Sequence, residues 1–327
     1  MADTTVATVA PPPGQQWIRK VRLLIAKRSK TLEADGLDLS DLHFRFQVTS
    51  SDGQTPNMMT IRVYNLDDNT LRSIIKEYDQ VSLEAGYVST NFGLIFAGTI
   101  RQYKRGRENS VDSFLEILAA DNDIGYNFGF ISQTLSAEQQ AATWADIYRQ
   151  CATQMGTSVD PQTVEMLQRE AGANGNIFQA RGRVLFGLTR SIMSVMADSI
   201  DATWSVQNGV LIVTKNTGVR AGTAIALGPD TGLIGTPEAT DSGIEIRCLL
   251  NAKVKIGVRV SVASNLINET TQFNRLWPAL APIAKLANNS LYRVLATEHI
   301  GDTRGQEWYT DIIGLALDPS LIVEGGQ

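Results

Sequence analysis

The sequence predicts a mainly β fold with an α+β insertion. Three observations carry that reading. From Trp17 to about Tyr126, apolar and polar residues alternate in short runs. Helical spacing of apolar residues dominates a stretch between about 130 and 220. Beyond Gly222 the alternation returns, over a segment of similar length and style to the first. A period of two marks a half-buried strand, and a period near 3.6 marks an amphipathic helix.

Residues 1–16 are small and polar, with Pro11, Pro12 and Pro13 in a row. They read as a flexible N-terminal arm, or alternatively as a strap across a partner. Leu42, Phe44, Phe46 and Val48 alternate with His43, Arg45 and Gln47. Met59, Ile61 and Val63, and then Val81, Leu83 and Ala85, repeat the pattern. Longer strands follow at 94–104 and 111–120, with turns at Ser51-Asp52-Gly53 and at 105–109. Between the second and third strands one short helix is expected, capped by Asp67 or Asp68, with Leu71, Ile74 and Ile75 as its apolar stripe. Such a set of strands suggests a small barrel or sandwich.

Ser136 and Gln139 have the spacing of a capping box, and Ala141 to Met155 then follows helical spacing. Pro161 suits the first turn of a second helix within 161–170. A third helix is expected over about 183–199, with Leu185, Leu188, Ile192, Val195 and Met196 as its stripe. Asn208-Gly209 between two alternating runs is a strong hairpin signal. In the last segment, strands are expected at 244–249, 254–256, 259–262, 292–299 and 308–317, with a turn at Gly301–Gly305. Residues 264–290 interrupt them as a long insertion rich in apolar side chains, and Phe273, Trp277 and Leu280 are its candidate partner contacts.

The composition narrows the function. The 327 residues carry 29 Lys and Arg against 34 Asp and Glu, a net charge of -5, which argues against a dedicated nucleic-acid binder. No apolar run is long enough for a membrane span, and the first residues lack the charged-then-apolar order of a signal peptide. The chain is therefore read as made and folded in a reducing cytoplasm. Two cysteines, Cys151 and Cys248, are too few for a disulfide framework and read as core thiols. No phosphate-binding loop, dinucleotide fingerprint, nucleophile elbow, zinc-protease motif or EF-hand loop is present. The expectation is no enzyme, no catalytic residue, no cofactor and no metal.

His299, near Asp302 and Glu307, could be a base held by a carboxylate, but reads better as a surface histidine beside a turn. His43 alternates outward with Arg45 and reads as solvated or interfacial. Two basic clusters occur, Arg19 to Lys30 and Arg101 to Arg107. Few aromatics interleave with them, so they read as charged strand edges or an interface facing acidic neighbours.

The C-terminal third is more specific. Thr231-Gly232-Leu233-Ile234-Gly235-Thr236-Pro237-Glu238 is followed by Asp241 through Asn251, then Gly257-Val258-Arg259-Val260, Tyr292-Arg293-Val294 and His299 through Thr310. This resembles the baseplate hub family of contractile-tailed bacteriophages, in its Mu-like branch. Ala202-Thr203-Trp204, the Asn208-Gly209 hairpin and Asp121-Asn122-Asp123 are similar to that family too. The resemblance implies two tube-type β-barrel domains, 17–129 and 221–327, flanking a smaller α+β middle domain, 130–220. It implies a homotrimer whose six barrel units form a pseudo-sixfold ring with the middle units outside. That ring joins the tail tube protein to the central spike protein, contacts other baseplate proteins and lines a DNA exit channel without binding DNA specifically. The implied location is the tail baseplate of a virion assembled in the host bacterial cytoplasm.

Two other readings stay open here. One is a tail-associated cell-wall hydrolase, which would need paired carboxylates that nothing in the sequence singles out. The other is a hub component of a type VI secretion spike. That architecture usually continues into a spike in the same chain, whereas this sequence stops at Gln327, soon after its last expected strand.

Overall fold

In the alternating runs of the first segment, apolar residues two apart point to the core side of the strand and the polar residues between them to the other. The computed structural model describes residues 16–27, 36–88, 90–135, 144–173, 183–240, 243–267 and 291–317. The first segment forms β1 (Arg19–Ala26), β2 (Leu37–Asp38), β3 (Phe44–Ser51), β4 (Met58–Tyr64), α1 (Asp68–Glu77), β5 (Gln80–Tyr87), β6 (Gly93–Arg107), β7 (Ser113–Ala120) and α2 (Asp123–Phe128). Phe44, Phe46 and Val48 are buried, while Arg45, Gln47 and Thr49 between them are exposed. The Asp67 carboxylate caps α1 by accepting from the Asn69 and Thr70 N–H groups. Leu71 and Ile74 are buried beneath α1, but Ile75 turns outward.

The middle segment forms β8 (Phe130–Leu135), α3 (Trp144–Met155), β9 (Ser158–Val159), α4 (Pro161–Ala173), β10 (Arg183–Leu188), α5 (Thr189–Ser199), β11 (Ala202–Gln207) and β12 (Val210–Lys215). The last segment forms β13 (Ile225–Leu227), β14 (Leu233–Thr240), β15 (Gly243–Leu249), β16 (Arg259–Val262), β17 (Leu291–Asp302) and β18 (Trp308–Ala316).

The two outer segments do not make separate sheets. They share one 13-stranded sheet whose main path runs β14-β15-β18-β17-β3-β4-β7-β6-β5-β1-β2, with β16 on β17 and β13 on β16. The join is the antiparallel pair of β17 and β3, from Ala296↔Ser51 to Asp302↔Arg45. Apolar side chains gather under the two halves in two clusters, and Leu250, Ala252 and Trp308 from the last segment complete the first. Burying each such side chain is worth about 1.5–3 kcal/mol. A further cluster, built on Tyr148, Cys151, Met193, Met196 and Trp204, lies within the middle segment.

Several sequence expectations are corrected. Residues 183–188 are not the start of a helix. They form β10, paired with β8 from Arg183↔Leu135 to Leu188↔Phe130, and the helix begins at Thr189. Leu185 is buried from that strand, whereas Val195 is exposed. Its period-two signal was hidden because the outward residues Val184 and Phe186 are apolar as well. Val254 and Ile256 are buried from turns rather than from a strand. β6 runs on to Arg107 and β17 to Asp302, so both expected turns lie later in the chain. The arm to residue 15, the Ser136–Gln139 capping box and residues 268–290 lie outside the described residues.

Candidate functional site

The face of the joined sheet opposite its core is polar, and its charges fall in rows set by strand register. One row reads Asp302, Arg45, Arg62, Glu116 and Lys104 across β17, β3, β4, β7 and β6. Arg45 Nε donates to Asp302 Oδ2 at 2.8 Å. Arg62 Nη2 donates to Glu116 Oε2 at 2.5 Å, and Lys104 Nζ lies 3.9 Å from Glu116 Oε1. A second row reads Ile234, Arg247, Asp311, Glu298 and Thr49. Arg247 meets Asp311 with two parallel bonds, Nε to Oδ1 at 2.6 Å and Nη2 to Oδ2 at 2.8 Å. Glu298 accepts from the Gln47 side chain across the join. Each cation in these two rows thus faces a carboxylate of the same chain.

Asp302 anchors the join. Burial pushes its carboxyl up, but the Arg304 and Gly305 N–H groups and the Arg45 and His43 side chains outweigh that and bring it down to about 2. His43 Nε2 is 2.9 Å from Asp302 Oδ1, and its ring stacks on Tyr64 with centroids 4.5 Å apart. His43 is therefore partly buried and fixed, not simply solvated. Arg19 caps the neighbouring turn, donating to the carbonyls of Asp302, Gly305 and Gln306.

His299 is corrected more strongly. It is buried, with Nδ1 2.8 Å from Thr310 Oγ1, and neither Asp302 nor Glu307 is its partner. Burial pushes its imidazole down to about 4, so it is neutral at pH 7.

Arg293, 1% exposed on β17, ties the three segments together. It donates to Asp52 Oδ2 at 2.8 Å, and to the carbonyls of Lys215 and Asn216 at 2.9 and 3.0 Å. Its burial lowers its pKa, and the Asp52 carboxylate opposes that.

The middle segment sits on the first half through the tip of its β11–β12 hairpin. Asn208 and Gly209 both have positive φ, as the two-residue turn requires. Both of their N–H groups donate to the buried Asp121 carboxylate, Gly209 at 3.0 Å. Asn208 Oδ1 in turn accepts from the Ala97 N–H at 2.9 Å. Asn57 Nδ2 reaches the Val206 carbonyl and Gln207 Oε1. Burial pushes the Asp121 carboxyl up to about 6, against the two backbone donors that favour its ionised form.

The remaining sequence candidates fall as follows. Cys151 and Cys248 are free and buried, with thiols pushed up to about 12 by burial. In the first basic cluster, Arg22 pairs with Glu84, Lys27 with Glu77, and Lys20 lies over the Phe92 ring; Arg28 and Lys30 lie outside the described residues. Arg101 pairs with Asp123. Phe273, Trp277 and Leu280 lie outside the described residues. Sequence reasoning quoted Asp121 and Arg293 within family motifs but gave them no role, and it missed the contact of His43 with Asp302. A lone arginine in the apolar run Leu291–Val294 was the signal for Arg293. Among the described residues, no group of three or more His, Cys, Asp or Glu is placed to hold a metal ion, and no helix is long and apolar enough to cross a membrane.

The family model for the baseplate hub gp41 matches residues 58–272. Comparison with curated protein sequences gives no significant match. Among solved structures, a 43 kDa tail protein of prophage MuSo2 from Shewanella oneidensis is similar at a TM-score of 0.55 and 9% identity, over 92% of this chain and 99% of that one. A tail protein from Neisseria meningitidis MC58 is similar at 0.54 and 8%, over 92% and 97%. A chain of a Francisella PdpA–VgrG complex is similar at 0.50 and 7%, over 93% of this chain and 58% of that one. At such identities these likenesses establish the fold, which is that of phage tail proteins.

Proposed function

This chain belongs to the baseplate hub gp41 family, a family of structural phage tail proteins, and from that premise we propose how it acts. It is a homotrimeric hub in which the halves 17–129 and 221–327 are tube-type barrel units and 130–220 stands outside the ring. The ring joins the tail tube to the central spike, and the charge-paired face of the sheet lines the path of the exiting DNA. Its role is structural and not catalytic.

The observation that carries this reading is the pairing of charges on the continuous sheet face. DNA binds a surface by releasing counterions, and each unpaired cation adds to that affinity. On this face Arg45, Arg62, Lys104 and Arg247 each have a carboxylate within 4 Å. A wall of this kind offers a passing polyanion no net positive patch while remaining wet. A catalytic groove would instead need a titratable pair aimed at one point.

A density map of the assembled baseplate tests the reading directly. Three copies around the axis, with Gln47, Arg62 and Arg247 facing the channel, is the expected result. One copy, or a ring with this face turned outward, would falsify it. The purified chain should also show no retention on duplex DNA at physiological salt and no turnover of peptidoglycan.

A further inference from the structure

The hairpin tip that seats the middle segment on the sheet has a covalent reactivity of its own. In an asparagine followed by glycine, the side-chain amide is open to attack by the next backbone nitrogen, because glycine sets no side chain in the way. Asn208 and Gly209 are such a pair. The Gly209 nitrogen bonds to Cγ of Asn208, and the Cγ–Nδ2 bond breaks. The displaced amide nitrogen leaves as ammonia, taking the proton that Gly209 gives up. Water then opens the succinimide ring at either carbonyl and leaves an aspartate or an isoaspartate at position 208.

The seated tip opposes ring closure. Asn208 and Gly209 have φ of 54° and 78°, as in a type I′ turn. Such a turn has ψ of about +30° at its first central residue, which puts the Gly209 nitrogen nearly anti to the Asn208 Cβ. The ring needs those two atoms eclipsed. The reacting groups are also held by different partners. The Ala97 N–H on β6 donates to Asn208 Oδ1 at 2.9 Å, and the Gly209 N–H donates to Asp121 Oδ1 at 3.0 Å. Asn57 holds the strand just before the turn, through the Val206 carbonyl and Gln207 Oε1. Nucleophile and electrophile can therefore meet only when the tip lifts. Water has access, since nothing lies within 4 Å of where a Cβ on Gly209 would stand.

The product fits the seat badly. Isoaspartate adds an atom to the backbone between Gln207 and Val210, which face each other across the turn. Aspartate adds a second carboxylate to a turn that the buried Asp121 carboxylate already grips, and like charges in a shared site repel.

We propose that Asn208 is a self-modification site gated by the seat: deamidation is blocked while the tip is clasped, proceeds when it lifts, and prevents it from seating again. The result is a one-way release of the middle segment, timed by how often the clasp opens. This chemistry does not depend on the ring proposed above, and its test leaves that reading untouched.

The test ages the full chain at mildly alkaline pH. The peptide containing Asn208 is followed by mass, and isoaspartate is read by enzymatic methylation. Peptide mapping separates this pair from Asn174-Gly175, the other Asn-Gly in the chain. The rate at Asn208 should be about tenfold or more below that of the same chain in denaturant. Asn57→Ala loosens the clasp without touching the reacting atoms, and Asp121→Ala removes its anchor, so each should raise the rate by about threefold or more. Should Asp121→Ala melt as an unfolded chain, Asn57→Ala alone decides. In the aged wild type, amide exchange should show lost protection at Ala97 and the hairpin tip, with the β3–β17 ladder unchanged. Asn208→Gly, which has no amide to lose, should keep its protection on ageing. Equal rates in native and denatured chain, or a rate that neither variant raises, overturn the gating. A slower rate in Asp121→Ala would make that carboxylate a base for ring closure and overturns it too. A deamidated chain whose tip stays protected overturns the one-way release.

Discussion

The two junctions of this molecule are built from different bonds. The join of β3 and β17 is a backbone ladder, backed by buried side chains and by the Asp302 cluster. The seat of the middle segment is a hairpin tip held chiefly by side chains, with Asp121 and Asn57 gripping its backbone. A ladder fixes register, because a slip of one residue would turn every apolar side chain to the wrong face. A clasp on a turn fixes only a point. The halves of the sheet therefore behave as one body, while the middle segment is an attachment with its own core.

The largest expected effect comes from the residue that serves both junctions. Arg293→Met removes a buried cation from Asp52 and from the Lys215 and Asn216 carbonyls. The loss should be about 3 kcal/mol or more, since the carbonyls and the carboxylate stay behind without their donor. Chemical denaturation should show it. A cost below about 1 kcal/mol would mean that water replaces the guanidinium and that the three segments are not tied there.

Acid should act on the two junctions in opposite directions. His299 at the join is held near 4, below its ordinary 6.5, so its contribution is complete above pH 6.5 and is lost as pH falls through 4. Asp121 at the seat is held near 6, above its ordinary 3.8, so the folded chain takes up its proton first and gains stability as pH falls across that interval. Each amounts to about 3 kcal/mol, so the two contributions oppose each other between pH 6.5 and 4. Asp121→Asn should expose a steep loss toward acid, and His299→Gln should reverse the slope. Parallel slopes in the two variants would show that neither group governs its junction.

A smaller contrast separates the glycines. A Cβ at Gly301 would overlap the Phe46 ring and press on Trp308, so Gly301→Ala should cost about 2 kcal/mol globally. Gly209 has φ +78 and open space around it, so Gly209→Ala meets no neighbour and should cost about 1 kcal/mol of backbone strain. Amide exchange should place that cost in the hairpin and leave the β3–β17 ladder protected. Smallest of all, Arg247→Gln should change stability by less than about 1 kcal/mol, since its pair with Asp311 is exposed. Retention on DNA should stay unchanged, because a paired cation contributes no counterion release to lose.

Much of the fold was legible in the residues. Alternation marked most strands, the Asp67-Asp68 pair marked the start of α1, and Asn208-Gly209 marked its hairpin. The motifs of the last segment marked the family. β10 was not legible, because both of its faces carry apolar side chains and a period of two then disappears. The burial of His299 was not legible either. Its neighbours in sequence, Asp302 and Glu307, suggested a surface turn, while the Thr310 that receives it comes from the next strand.

Sequence by itself determined which side of each alternating strand is apolar, since that depends only on neighbours one and two residues away. It also determined the Asn208-Gly209 turn, where few residue types tolerate the backbone angles required. Only the tertiary structure decided which strand lies beside which. Arg45 and Asp302 stand 257 residues apart, and no local pattern says that β3 will meet β17. Apolar patterning decides that a strand is buried on one face but leaves its edges equivalent. The choice of neighbour at an edge is made by charge, turn length and packing summed over the whole chain.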